Sequence, residues 1–278
     1  MKTAKTLKDE IVELLKKASV ALPEDIIFAL KKARKLEKNS SGKSVLDTIL
    51  ENVAVAKKKS HPICQDTGTP IFYVKYPPKF RPSEIKRIID ESLNIATKNV
   101  PLRKNAVESL SGKPVGNAAI IHFHESDELE IKVLLKGAGS ENVSAVYSLP
   151  SKEINAQRDL DGVGKCILET VFKAQGRGCP PYIIGVAIAG NIEEAAALSK
   201  KQLLRKIDEK NPDKVLRLFE EKILKQINSL RIGPLGLGGG TTALSVKIEN
   251  ALRHPATFFV GVSMGCWCLR RESFNKKS

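Results

Sequence analysis

The hydrophobic periodicity of this chain changes character once, near residue 60, and that change limits the folds open to it. Before it, apolar residues recur every three to four positions in "KTLKDEIVELLKKA", "LPEDIIFALKKARKLE" and "SVLDTILENVAVAKKK", the spacing that lines one face of a helix. Pro23, followed by Glu24 and Asp25, marks a helix start: proline lacks the N–H that a first turn leaves unpaired, and carboxylates suit that end of the dipole. Beyond residue 60, short apolar runs alternate with further amphipathic stretches. Residues 70–75, "GNAAIIHFHE", "ELEIKVLLKG", "TALSVKIENA" and "ATFFVGVSM" predict strands. Helices are predicted from near Arg81 to a break at Pro101, over "GVGKCILETVFKAQ", over "NIEEAAALSKKQLLRKI" after the apolar "YIIGVAIAG", and over "NPDKVLRLFEEKILKQINSL". This order is too mixed for a regular Rossmann fold. It predicts an α+β fold, a helical N-terminal segment followed by a mixed sheet-and-helix core. No linker, repeat or low-complexity block interrupts it, so residues 1–278 read as one domain with room for two sheet-containing halves.

Charge narrows the function classes. The formal net charge is +15, from 46 Lys and Arg against 31 Asp and Glu, a balance that attracts anions. The lysines are spread along helices beside acidic companions, as in "LKDEIVELLKKA" and "SEIKRIIDESL". With no RRM-like aromatic signature, spaced zinc finger or continuous basic stripe, nucleic acid is not the expected partner. The N-terminus carries charges throughout its helical pattern, so it reads neither as a secretory signal nor as a membrane span. Acidic residues enter too early for a transit peptide, and the expected location is cytoplasmic, away from any membrane.

Five cysteines, Cys64, Cys166, Cys179, Cys266 and Cys268, are an odd number, and reduced thiols are the expectation. Cys64 in "HPICQDTGTP", Cys179 in "QGRGCPPY" and Cys266 in "SMGCWCLRR" each border a turn or strand end, where distant loops converge. Three thiolates suffice to hold a [4Fe–4S] cluster and leave one iron open, since soft sulfur suits iron and zinc. The spacing is not that of a ferredoxin. Cys268 competes with Cys266, because strand alternation puts both on one side. Arg103 offers a planar fork to a carboxylate, and Gln65 a donor to a substrate oxygen. Asp66 either orients a proton carrier or closes an Asx turn in "QDTG". His254 is a residue type that can mediate proton transfer; His61 also lies close to Cys64, and His122 and His124, alternating in a strand, are weaker candidates. The loop "LLKGAGSENVS" can aim backbone N–H groups at a carboxylate. "RIGPLGLGGGTTALSVKI" lacks the Lys-Ser/Thr ending of a P-loop and the strand–GxGxxG–helix setting of a dinucleotide site.

Taken in order, "CQDTG", "PLRKNAV", "KGAGSEN", "GCPPYIIGV", "GPLGLGGGTTAL" and "RHPATFFVGVSMGCW" resemble the class I, iron–sulfur fumarate hydratases, in their N-terminal region or separate alpha subunit; the L(+)-tartrate dehydratase alpha subunit is the nearest rival. The resemblance spans nearly the whole chain and implies an alpha-type hydro-lyase domain with the N-terminal-domain fold of class I fumarases. It implies Cys64, Cys179 and Cys266 as ligands of a [4Fe–4S] cluster, with Cys268 a bystander. It implies Gln65, Arg103 and Gly137 as substrate contacts and Asp66 and His254 in catalysis, acting on a dicarboxylate in the reversible hydration of fumarate to (S)-malate. It further implies a separate beta subunit, in an assembly of two alpha and two beta chains. Gly240 stands where relatives often carry lysine, and Ala138 where glycine is common. A non-catalytic iron–sulfur protein and a metal-free binding protein are the other classes the residues allow.

Overall fold

The computed structural model describes residues 6–100 and 102–276. In chain order the helices are α1 (Leu7–Val20), α2 (Glu24–Leu36), α3 (Ser40–Lys59), α4 (Pro82–Asn99), α5 (Ala138–Glu141), α6 (Leu160–Ala174), α7 (Ile192–Gln202) and α8 (Lys214–Ser229). The strands are β1 (Thr69–Tyr76), β2 (Ala106–Val107), β3 (Pro114–Gly116), β4 (Ile120–Glu125), β5 (Leu129–Lys136), β6 (Ala145–Ser148), β7 (Tyr182–Ala189), β8 (Ala243–Asn250), β9 (Phe259–Gly265) and β10 (Arg270–Lys276). This is the α+β fold that the periodicity predicts. Pro101, read as the end of the fourth helix, lies outside the described residues. Among the described residues no helix is long and apolar enough to cross a membrane.

Two compact units divide the chain. The first comprises Met1–Pro23, Glu51–Ala138 and Cys268–Ser278. Its sheet has the order β10-β5-β1-β4, with β1 parallel to β4 and antiparallel to β5, and β10 antiparallel to β5. Ile11, Leu14, Leu15 and Ala18 follow the helical repeat of α1, as Ile85, Ile89 and Leu93 follow that of α4, and these stripes share one core with Phe72, Val74, Ile131 and Val133 of the sheet. The start of α1 is set by a capping box: the Thr6 hydroxyl accepts the Asp9 N–H and the Asp9 carboxylate accepts the Thr6 N–H, both at 3.2 Å.

The second unit comprises Glu24–Leu50 and Gly139–Trp267. Its sheet has the order β6-β9-β7-β8, with β7 parallel to β8 and antiparallel to β9. All eight residues of β7 are buried, the mark of a strand covered on both faces. Alternation explains how. Ile184, Val186 and Ile188 share a core with Val163 and Ile167 of α6 and Leu216, Phe219 and Ile223 of α8. The opposite face carries glycine so that α7 can close on it: a Cβ on Gly185 would stand 2.1 Å from the Ser199 carbonyl oxygen, and one on Gly261 2.1 Å from that of Ala195.

Five strands escape the sequence reading, among them β7, which it describes only as an apolar run. β2, β3 and β6 are too short to show a period. The last, β10, is "RRESFNK", a charged segment to which the sequence reading assigned no element, charged residues being rare in a core. Yet Arg270 is 1% exposed and Arg271 8%.

Candidate active site

In the first unit, the antiparallel pairing of β1 with β5 sets the start of β1 beside the end of β5, and Thr69 is registered with Lys136. The segment "CQDTG" leads into β1 at this end, and Gly137 and Ala138 leave β5 there. Asp66 joins the two. One carboxylate oxygen accepts the Gly68 N–H at 2.9 Å, closing an Asx turn, and the other accepts the Ala138 N–H at 2.7 Å. The loop after β5 does aim a backbone donor at a carboxylate, and the carboxylate is the protein's own. Gly68 (φ 84°) is required here, since a Cβ would stand 2.8 Å from the Leu135 carbonyl carbon. Thr67, between Asp66 and Gly68, is 2% exposed. Its hydroxyl accepts the Arg103 N–H at 3.1 Å and an Asn105 amide proton at 2.9 Å, while Asn117 Nδ2 donates to the Arg103 carbonyl at 2.8 Å.

The backbone of Arg103 is therefore braced on both sides. Its guanidinium is exposed and pairs with no carboxylate among the described residues. Gln65 is exposed and Cys64 half-buried. Cys64, Gln65, Asp66, Arg103 and Gly137 thus gather at one end of one sheet, three side chains offering a thiol, an amide and a cation to the outside.

The second unit repeats the device with β7 and β9. Their register, from Ile183 with Gly265 to Ala189 with Phe259, puts the start of β7 beside the end of β9. Cys179 precedes the one and Cys266 follows the other, and the Trp267 N–H donates to the Cys179 carbonyl at 3.1 Å. Cys179 is exposed and holds φ 58°, a left-handed conformation that costs a non-glycine residue about 1 kcal/mol or more. Tyr182, fully buried, braces the turn. Its hydroxyl donates to the Gln175 carbonyl at 2.6 Å and accepts the Gly178 N–H at 3.2 Å. Burial pushes the Tyr182 phenol up to about 12, and the neighbouring Cys179 and Cys266 sulfurs add to that rise.

The remaining cysteines differ in kind. Cys166 is fully buried in α6, and burial pushes its thiol up to about 12, which keeps it protonated and inert. Cys268 is 2% exposed. Strand alternation does not relate it to Cys266, because residues 266–269 form a turn between β9 and β10.

His254 lies elsewhere. It follows β8 and precedes β9, at the end of the second sheet opposite Cys179 and Cys266. Six residue steps along β7 separate these ends, about 20 Å at 3.3 Å per step. The loop is pinned there: the Ala251 N–H donates to the Ile188 carbonyl at 2.8 Å, and Arg253 donates to the carbonyls of His254, Pro255 and Thr257. His254 Nδ1 accepts the Ala256 N–H at 3.1 Å, so the neutral ring carries its proton on Nε2. Among the described residues, no three or more His, Cys, Asp or Glu side chains are gathered closely enough to hold a metal ion. Thr67, Tyr182 and Arg270 are supporting residues that the sequence reading missed. All three stand inside motifs it quoted, "CQDTG", "GCPPYIIGV" and "SMGCWCLRR", which was the available signal.

A family model described as Fumarate hydratase (Fumerase) matches residues 8–275. A protein of Geobacillus stearothermophilus provisionally named fumarate hydratase class I is 40% identical over 276 residues, covering 95% of this chain and 54% of its own length. The chain therefore spans about half of that relative. A protein of Methanocaldococcus jannaschii provisionally named L(+)-tartrate dehydratase subunit alpha is 41% identical over 277 residues, covering 95% of both. The L(+)-tartrate dehydratase subunit alpha of Escherichia coli (strain K12) is 35% identical over 266 residues, covering 91% of this chain and 85% of its own.

Proposed function

Because the chain belongs to the fumarate hydratase (Fumerase) family of class I fumarate hydratases and tartrate dehydratase alpha subunits, we propose that it is the alpha-type chain of a hydro-lyase that adds water to fumarate and removes it from (S)-malate. The observation that carries this reading is the sorting of the five cysteines. Two are buried, and the three that are exposed or half-buried are the three that the family resemblance selects. None of the five is in a disulfide. As soft, accessible donors, Cys64, Cys179 and Cys266 fit an iron–sulfur cluster in chemistry, and they are the residues proposed to hold [4Fe–4S]. A cluster held by three thiolates supplies an open iron, a Lewis acid toward a substrate hydroxyl.

The chain's own groups do the rest. Arg103 receives one carboxylate of the diacid through its planar fork. Gln65 donates an amide proton to a substrate oxygen beside Cys64, and the Gly137 backbone lines the same end of the sheet. Asp66 keeps these three in fixed relation by binding the backbone of both loops, and its place in catalysis is to position them. His254 donates from Nε2 as an acid. Its distance from Cys179 and Cys266 within one chain favours service in trans, the histidine of one copy acting at the cysteine end of another. That agrees with an assembly of two alpha and two beta chains, the beta subunit supplying the remaining cations and the base.

The tartrate reading is favoured by one observation, the near-complete mutual coverage with proteins named tartrate dehydratase alpha subunits. The test is anaerobic reconstitution with iron and sulfide, then electron paramagnetic resonance of the oxidised cluster with malate and with L(+)-tartrate. A cluster signal shifted by malate supports the fumarate reading, and one shifted by tartrate alone transfers it to the second. Failure to assemble a cluster on the wild-type chain overturns both.

A further inference from the structure

The largest fully buried side chain of the protein is a cation. Arg270, first residue of β10, is 1% exposed, and its guanidinium donates from Nη1 to the Asp66 carbonyl at 2.6 Å. Its Nε is buried without a partner, and among the described residues no carboxylate pairs with it. On stability grounds this is a poor choice. A buried charge without a counter-ion is strongly penalised, and an apolar residue of similar volume is commonly neutral or stabilising in its place. A group retained against that gradient calls for an explanation outside stability.

Geometry supplies one. The register of β10 sets Arg270 opposite Leu135, two residues before Gly137, so the guanidinium comes to the end of the sheet where "CQDTG" enters β1. There the Asp66 side chain holds the loop after β5, and the Asp66 carbonyl is held by Arg270. The arginine side chain, long and carrying donors at its tip, spans from β10 past β5 to this carbonyl.

We infer that Arg270 is a positioning residue, whose buried guanidinium fixes the Cys64–Asp66 turn and, through Asp66, the Gly137–Ala138 loop. The inference deepens the proposed function, since it rests on Cys64, Gln65 and Gly137 belonging to the site. It predicts that charge and reach at position 270 are kept for the geometry of the turn, at the expense of stability.

The test compares the full wild-type chain with Arg270→Met, similar in length and apolar, and with Arg270→Lys. In the cluster-free proteins, hydrogen exchange is followed at the Gly68 and Ala138 amides, with amides of β7 as an internal reference. Alkylation by iodoacetamide is mapped to Cys64 and to Cys179. Arg270→Met is expected to melt no lower than wild type. Its Gly68 and Ala138 amides should exchange about tenfold faster, as for one lost charge-assisted hydrogen bond, with β7 unchanged. The Cys64 alkylation rate should change while that of Cys179 stays the same, and Arg270→Lys should fall between. Unchanged protection of Gly68 and Ala138 in Arg270→Met overturns the inference, as does a lowered melting temperature with unchanged Cys64 reactivity. If Arg270→Met does not fold, the same readouts on Arg270→Lys decide. These measurements use no cluster, so failure of the proposed function, seen as a wild-type chain that binds no iron, is distinguishable from failure of this assignment.

Discussion

Glu37 gives a sharp test of how the glycine-rich loop before β8 is held. It follows α2, is 4% exposed, and accepts four backbone N–H groups. One carboxylate oxygen takes those of Lys38 and Asn39, both at 3.0 Å, and the other takes those of Gly240 and Thr241 at 2.8 and 3.2 Å. Burial alone pushes this carboxyl up, but the four donors outweigh it and hold it below the ordinary glutamate range. Glu37→Gln keeps the shape and removes the charge, and its amide has one oxygen where the carboxylate has two. That oxygen will turn to Gly240 and Thr241, leaving the exposed Lys38 and Asn39 amides to water. The cost is then toward the low end of two unsatisfied donors, about 2 kcal/mol. The sign with pH follows from the direction of the shift. With a folded value below the unfolded one, the carboxylate's stabilisation is complete above the ordinary glutamate range and is lost as pH falls through the lower folded value. The stability difference between wild type and Glu37→Gln should therefore be full at pH 7 and shrink between about pH 5 and pH 3. Urea unfolding across that range, with hydrogen exchange at Lys38 and Asn39, measures it. A difference that stays constant with pH, or Lys38 and Asn39 amides protected equally in both proteins, would refute the reasoning.

Three further outcomes are expected. Tyr182→Phe removes the bridge between the Gln175 carbonyl and the Gly178 N–H; it should cost about 1–2 kcal/mol and speed the loss of iron from a reconstituted protein, followed by the decay of its visible absorbance. Cys179→Gly relieves the left-handed strain at that position and should raise the stability of the cluster-free chain by about 1 kcal/mol, while abolishing cluster assembly; a less stable variant would speak against strain at this turn. Mixed assemblies of Cys179→Ala chains with His254→Ala chains, combined with a beta subunit, should recover activity that neither variant has alone. No recovery would place His254 outside any site shared between copies.

Much of the fold is legible in the residues because period reports burial. The stripes of α1, α4, α6 and α8 each need one partner surface and the apolar run of β7 needs two, and each found them. The same reasoning assigned nothing to β10, whose Arg270 and Arg271 are buried by register with β5, an interaction distant in sequence. "CQDTG" carried both of Asp66's possible roles, and only the arrival of Ala138 from another strand showed which groups its carboxylate holds. Glycine at 185 and 261 signalled close approach without saying of what; the carbonyls of α7 answered.

The cysteines divide the two kinds of information most plainly. That thiols stand at turns beside strand ends follows from local residue types, and the family resemblance follows from the order of short motifs. Which thiols are accessible, and which lie at the same end of a sheet, depends on strand direction. Antiparallel pairing of β7 with β9 brings Cys179 to Cys266, and the same pairing carries His254 to the far end. A chain's local preferences specify its elements, but the sense in which two strands run past each other is decided only when they pair, and that sense determines which side chains can meet.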